Sequence, residues 1–177
     1  IQGRSTLDIS GVLIHGLVGR GKTWLAIGYA NDAIRAGVLH PSEVIFGTES
    51  DLLASASNSK FGEVEAKLQK LTSGKYKCII IDDIGRGTWL RDDMRPKVFS
   101  LVFDKQWSHG NMVIVKTNLT REELGRYIGA AAMERLLAMC GYAPDVVISG
   151  VDKRRERTSL KVKDQHESHL RRIKSSS

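Results

Sequence analysis

The segment Gly16-Leu17-Val18-Gly19-Arg20-Gly21-Lys22-Thr23 has the spacing G-x-x-x-x-G-K-[ST]. Glycines at these positions let backbone N–H groups wrap a phosphate, and a helix starting at the lysine adds a favourable dipole. Lys22 would then sit against the outer phosphates of a nucleotide, and the Thr23 hydroxyl would ligate Mg2+. Gly16, Gly19, Arg20, Gly21, Lys22 and Thr23 are the candidate nucleotide-binding residues. A helix-capping turn without a ligand is the plainer alternative. A second signal is Ile79-Ile80-Ile81-Asp82-Asp83, an apolar run ending in two carboxylates. Asp82 would hold Mg2+ directly or through water, and Asp83 would orient and deprotonate an attacking water. Two aspartates capping the next turn are the simpler reading.

These groups need elements to position them. Gly11–His15 reads as a buried strand leading into the glycine-rich turn. From Lys22 to about Ala36 the pattern predicts a helix, with Trp24, Leu25, Ile27, Ala30, Ala33 and Ile34 available for its inner face and Gly37 as its stop. Val44–Phe46 is a second strand. Residues 52–71 read as mostly helical, broken around 55–59 and Gly62. Residues 77–82 form a third strand, apolar on both faces as a central parallel strand requires. A helix over about 92–108, a strand at 112–115, two short helices (121–127 and 130–139) and a strand at 146–148 complete the series. Strands alternating with helices predict an open, mostly parallel α/β sheet.

Composition sets the outer bounds. The 177 residues are 41% hydrophobic and 27% charged, which is enough apolar material for one core. No run of eighteen apolar residues occurs, so no membrane span is expected. No secretory signal is visible, and the two cysteines, Cys78 and Cys140, have no metal-ligand or disulfide-framework spacing. A reduced cytoplasm is the expected compartment. The leading isoleucine suggests a segment of a longer chain. The charge is uneven: residues 1–150 carry 18 basic and 16 acidic side chains, whereas 151–177 carry 9 and 4. A near-neutral body with a basic tail points to a polyanionic partner, nucleic acid before membrane, or else to a solvated tail. His166 and His169 have the spacing of a metal pair but no companion ligand.

Taken in order, the phosphate loop, Ile81-Asp82-Asp83-Ile84-Gly85 and Thr117-Asn118-Leu119-Thr120 resemble the AAA+ core of the DnaC/DnaI/IstB group. That group comprises replicative-helicase loaders and the helper ATPases of certain transposons. The likeness spans about residues 10–155. It implies an α/β P-loop NTPase with a five-stranded, mostly parallel sheet flanked by helices. It also implies an ATPase core over 1–150 and a basic, partly flexible extension over 151–177, too short for a full helical lid. The leading partner-binding domain common in the group has no counterpart in residues 1–10.

The resemblance assigns further roles. Asn118 matches a sensor asparagine that would hydrogen-bond the γ-phosphate or the attacking water, although the residues alone allow it to be only a turn. Arg135, in Met133-Glu134-Arg135-Leu136, matches an arginine finger reaching into a neighbouring subunit's site; a locally paired helix charge is the alternative. Arg154 falls where relatives place a nucleotide-contacting arginine, within a basic cluster that leaves its register open. Basic and aromatic residues would line a DNA channel: Lys60, Phe61, Lys67 and Lys70, and Arg86 with Trp89 and Arg91. The expected cofactors are ATP and Mg2+. The expected partners are single-stranded DNA, a replicative helicase and further copies of the chain in a ring or spiral. Competing readings are a transposition helper acting on duplex DNA, a P-loop small-molecule kinase, and a nucleotide-gated binding module that does not hydrolyse.

Overall fold

The structure is a computed structural model and describes residues 10–56, 61–86, 92–142 and 146–148. Five strands, Gly11–His15 (β1), Val44–Thr48 (β2), Cys78–Ile84 (β3), Met112–Thr117 (β4) and Val146–Val147 (β5), form one sheet in the order β2-β3-β4-β1-β5. Every pairing is parallel. The helices are α1 (Lys22–Arg35), α2 (Glu49–Leu53), α3 (Phe61–Lys67), α4 (Gln69–Thr72), α5 (Arg95–His109), α6 (Arg121–Ile128) and α7 (Ala130–Met139). No helix among the described residues is long and apolar enough to cross a membrane.

The period of two along each strand divides the core into two layers. Leu13, Ile79, Ile81, Val113 and Val115 face one side and pack with residues of α3 to α7, chiefly Phe99, Phe103, Leu124, Ile128 and Leu136. Ile14, Cys78, Ile80 and Ile114 face the other and pack with Ala26 and Ala30 of α1. Both faces are covered, which is why the central strands read as unbroken apolar runs.

Two expectations need correction. Trp24 does not belong to the inner face of α1; it is 73% exposed. The buried positions are Lys22, Ala26 and Ala30, one row at i, i+4, i+8, and Trp24 points away from that row. Small alanines in the row let α1 lie close to the sheet. The third strand does not end at the paired carboxylates either, because β3 continues through Asp82 and Asp83 to Ile84. Lys60, Trp89, Arg91, Arg154, the side chain of Phe61, His166, His169 and the whole 151–177 extension lie outside the described residues.

Candidate functional site

In an all-parallel sheet the carboxyl ends of the strands share one edge, where the connections to helices leave a cleft. Here that cleft holds about 500 Å³ and is walled by the 18–24 loop and helix start, Asp82, Asp83, Arg86, Lys116 and Asn118. The phosphate loop, Asp82, Asp83 and Asn118 are therefore brought together as expected.

The loop is fixed from below. Gly16 has φ 131°, and a Cβ there would lie 2.6 Å from the Ile148 carbonyl oxygen, so only glycine allows the chain past the end of β5 into the turn. Lys22 is buried, and its Nζ donates to the carbonyls of Gly16 (2.6 Å) and Leu17 (2.7 Å). The Thr23 hydroxyl donates to Asp82 Oδ2 at 3.1 Å.

The paired carboxylates owe their direction to an irregularity. The β3–β4 register runs regularly to Ile81 opposite Val115 and resumes at Ile84 opposite Thr117. Two residues of β3, Asp82 and Asp83, thus oppose the single residue Lys116. Asp83 sits at φ 54°, in the left-handed region that glycine uses freely and that asparagine and aspartate tolerate better than other residues. Adjacent strand residues ordinarily face opposite sides of a sheet; the bulge lets both aspartates reach one cation. Lys116 Nζ lies 2.7 Å from Asp82 Oδ1 and also pairs with Asp83 Oδ1. Burial alone would push the Asp83 carboxyl up, but the hydrogen bond and charge of Lys116, with Arg86 and Lys22 beyond it, outweigh burial and hold it below the usual carboxylate range.

Asn118 follows β4 and is held by its neighbour. The Thr117 hydroxyl donates to the Ile84 carbonyl at 2.7 Å and accepts from Leu119 N–H at 3.1 Å. The Asn118 side-chain oxygen is buried and without a hydrogen-bond partner among the described residues. A buried acceptor of this kind needs a donor, and a water or protonated phosphate in the cleft would supply one. Behind the loop after β3, buried Glu49 accepts from Gly85 N–H at 2.9 Å through one oxygen and from the Tyr127 hydroxyl at 2.8 Å through the other. The Arg95 guanidinium lies 4.1 Å from the centre of the Tyr127 ring.

Thr23 and Asp82 offer hydroxyl and carboxylate oxygens side by side, the hard donors Mg2+ takes when phosphate and water complete its shell. No group of three or more His, Cys, Asp or Glu that could cage a metal occurs among the described residues. The protein's donor set thus fits a nucleotide-borne Mg2+.

Other expected residues lie apart from the cleft or at its margin. Arg135, on α7, donates from Nε to Asp104 Oδ1 at 2.6 Å and stacks 5.4 Å from the Trp107 ring centre, outside its own chain's cleft. Lys67 ends α3 and Lys70 lies in α4; Lys67 pairs with Glu63 (3.9 Å), and Lys70 lies 5.9 Å from the Tyr76 ring centre. Arg86 does not join them but lines the nucleotide cleft. Sequence reasoning missed Lys116 and Glu49. The sequence offers only a weak signal for Lys116, a lysine directly after the apolar run Met112-Val113-Ile114-Val115, where a strand that continued would bury it and require a partner. Trp24, expected in the core, lines the cleft mouth instead.

Phosphate loop between β1 and α1, carboxylates in β3 and an asparagine after β4, on a sheet of this order, define a P-loop ATP-binding fold of the AAA+ type. Residues 7–161 match the family of IstB-like ATP binding proteins, and the chain belongs to that family. It falls in the DnaC/DnaI/IstB group. No curated protein gives a significant sequence match. Among solved structures, that of DnaI is 21% identical and is matched over 86% of this chain and 77% of that one, with TM-score 0.60. The DnaC helicase loader is 17% identical over 83% and 82%, with TM-score 0.61. The replication initiator DnaA bound to AMPPCP and single-stranded DNA is 17% identical over 90% of this chain and 46% of that one, with TM-score 0.56. Identities this low speak for the fold.

Proposed function

We propose that this chain is a Mg2+-dependent ATP hydrolase that acts as a replicative-helicase loader, with ATP sites between subunits of a ring or spiral bound to single-stranded DNA. The observation that carries hydrolysis is that Asp83, held below the usual carboxylate range, and the Asn118 side-chain oxygen, without a partner among the described residues, line one cleft. Together they can hold a water by two acceptors and draw a proton from it. Lys22 and the loop amides bind the phosphates, and Thr23 with Asp82 would hold Mg2+, which supplies charge neutralisation at the phosphates. Arg135 serves a neighbouring subunit's site, which requires it to exchange Asp104 for phosphate. Arg154, Lys60, Phe61, Lys67 and Lys70 are assigned to nucleotide and DNA contact by the family pattern; Arg86 sits close enough to Asp83 to serve the nucleotide instead. The loader reading draws on the likeness to DnaI and the DnaC helicase loader over most of each chain. The family match favours a second reading, a transposition helper of the IstB kind with the same core.

Steady-state ATP turnover over a range of protein concentrations tests both, with no DNA, single-stranded DNA or duplex. Turnover per subunit is expected to rise with concentration and DNA, to vanish in Lys22→Ala, and to fall by about 10³-fold or more in Arg135→Ala. A preference for duplex moves the assignment to the transposition helper. Turnover flat in concentration and indifferent to Arg135 overturns the intersubunit site.

A further inference from the structure

The ammonium of Lys116 is bonded to the same two carboxylates that the site needs for Mg2+ and for water. Its side chain is only 8% exposed, and the carboxylates are its partners at Asp82 Oδ1 (2.7 Å) and Asp83 Oδ1. Asp82 is thereby divided: Oδ1 belongs to Lys116 and Oδ2 to the Thr23 hydroxyl. The bulge presents both aspartates to one lysine, at the cost of placing Asp83 at φ 54°. The left-handed backbone at Asp83 and the buried lysine thus converge on one pair of carboxylates.

We propose, building on the ATP-site reading above, that Lys116 is a cation gate: its ammonium competes with a divalent metal for the Asp82–Asp83 pair, so that metal enters only as Lys116 lets go. A second cation on the same carboxylate pair would be repelled by the ammonium, the more so because Lys116 and Asp82 are buried. Lys116 is a positioning residue. It holds both carboxylates on one ammonium at the edge of the cleft, and its hold sets how tightly the metal binds. A lysine kept only for folding would give the opposite result, because its loss would loosen the carboxylates and weaken metal binding.

The test uses Mn2+ as the metal probe, followed by electron paramagnetic resonance of free Mn2+, with fluorescent ADP binding measured in parallel in EDTA and in Mn2+. Wild type, Lys116→Met and Lys116→Arg are compared, and far-UV circular dichroism with thermal melting establishes that each is folded. Lys116→Met is expected to bind Mn2+ roughly tenfold or more tightly in the presence of ADP, and Lys116→Arg, which keeps the charge, to stay within about twofold of wild type. Unchanged or weaker Mn2+ binding in a folded Lys116→Met overturns the gate. If Lys116→Met does not fold, Lys116→Gln, of near-normal polarity and no charge, carries the same expectation. Failure of wild type to bind ADP in both EDTA and Mn2+ sinks the nucleotide-site reading itself, whereas ADP binding with an unaltered metal response sinks the gate alone.

Discussion

Asp83 has to remain ionised while half enclosed, and its surroundings show how. Burial works against the charge, but Lys116, Arg86 and Lys22 reverse the balance, so its folded pKa lies below the ordinary value. A depressed carboxylate contributes stability that is fully present above the unfolded pKa and fades as pH falls through the folded one. Asparagine accepts the same left-handed backbone, so Asp83→Asn isolates the charge from the strain. Thermal melts should show a wild-type advantage over Asp83→Asn that is level from neutral pH down to about pH 4 and shrinks below it. An advantage that already declines between pH 7 and pH 5 would mean that Lys116 does not hold this carboxylate. Trp24 makes the complementary point, since a large apolar residue placed on the row opposite Ala26 and Ala30 serves the cleft mouth rather than the core.

The joint between α6 and α7 is where an element depends on a single atom. Gly129 ends one helix and begins the next at φ 89°, ψ 153°, and a Cβ there would meet Pro96 Cβ at 2.7 Å. Only glycine uses that backbone region freely, so Gly129→Ala is expected to cost about 1–3 kcal/mol in a urea titration. It should also shift α7, the helix that carries Arg135. Elements of this kind were largely legible in the sequence. The apolar run before Gly16, the glycine stop at Gly37 and the unbroken apolar 78–81 and 112–115 segments announce their structure by local pattern. Lys116 beside Asp82 was not legible, because it depends on β3 lying next to β4 and on a one-residue slip between them. Periodicity within a strand carries neither fact. Trp24 was misplaced for a related reason: counting apolar residues ignores which helical row they occupy. Glu49, in the weakly patterned stretch after β2, acquires its partners Gly85 and Tyr127 only when α6 folds over it.

At the scale of the molecule, Arg20, Lys22, Arg86 and Lys116 face Asp82 and Asp83 across one cleft, an excess of positive charge suited to a polyphosphate. Thr23 and Asp82 are 59 residues apart in the chain, and Asp83 and Lys116 are 33 apart. Nothing short of the assembled sheet brings them into register. A nucleotide that reads this junction binds the native chain and ignores the unfolded one. At a hundred times its dissociation constant it should add about 2.7 kcal/mol to stability, visible as a rise in melting temperature that Lys22→Ala abolishes. A shift that survives Lys22→Ala would place the nucleotide elsewhere. Because the site exists only when the sheet is assembled, its occupancy is also a census of correctly folded molecules. A cell containing ATP would continually draw this chain toward its native state, so that the ligand of the working site would also serve as a folding aid.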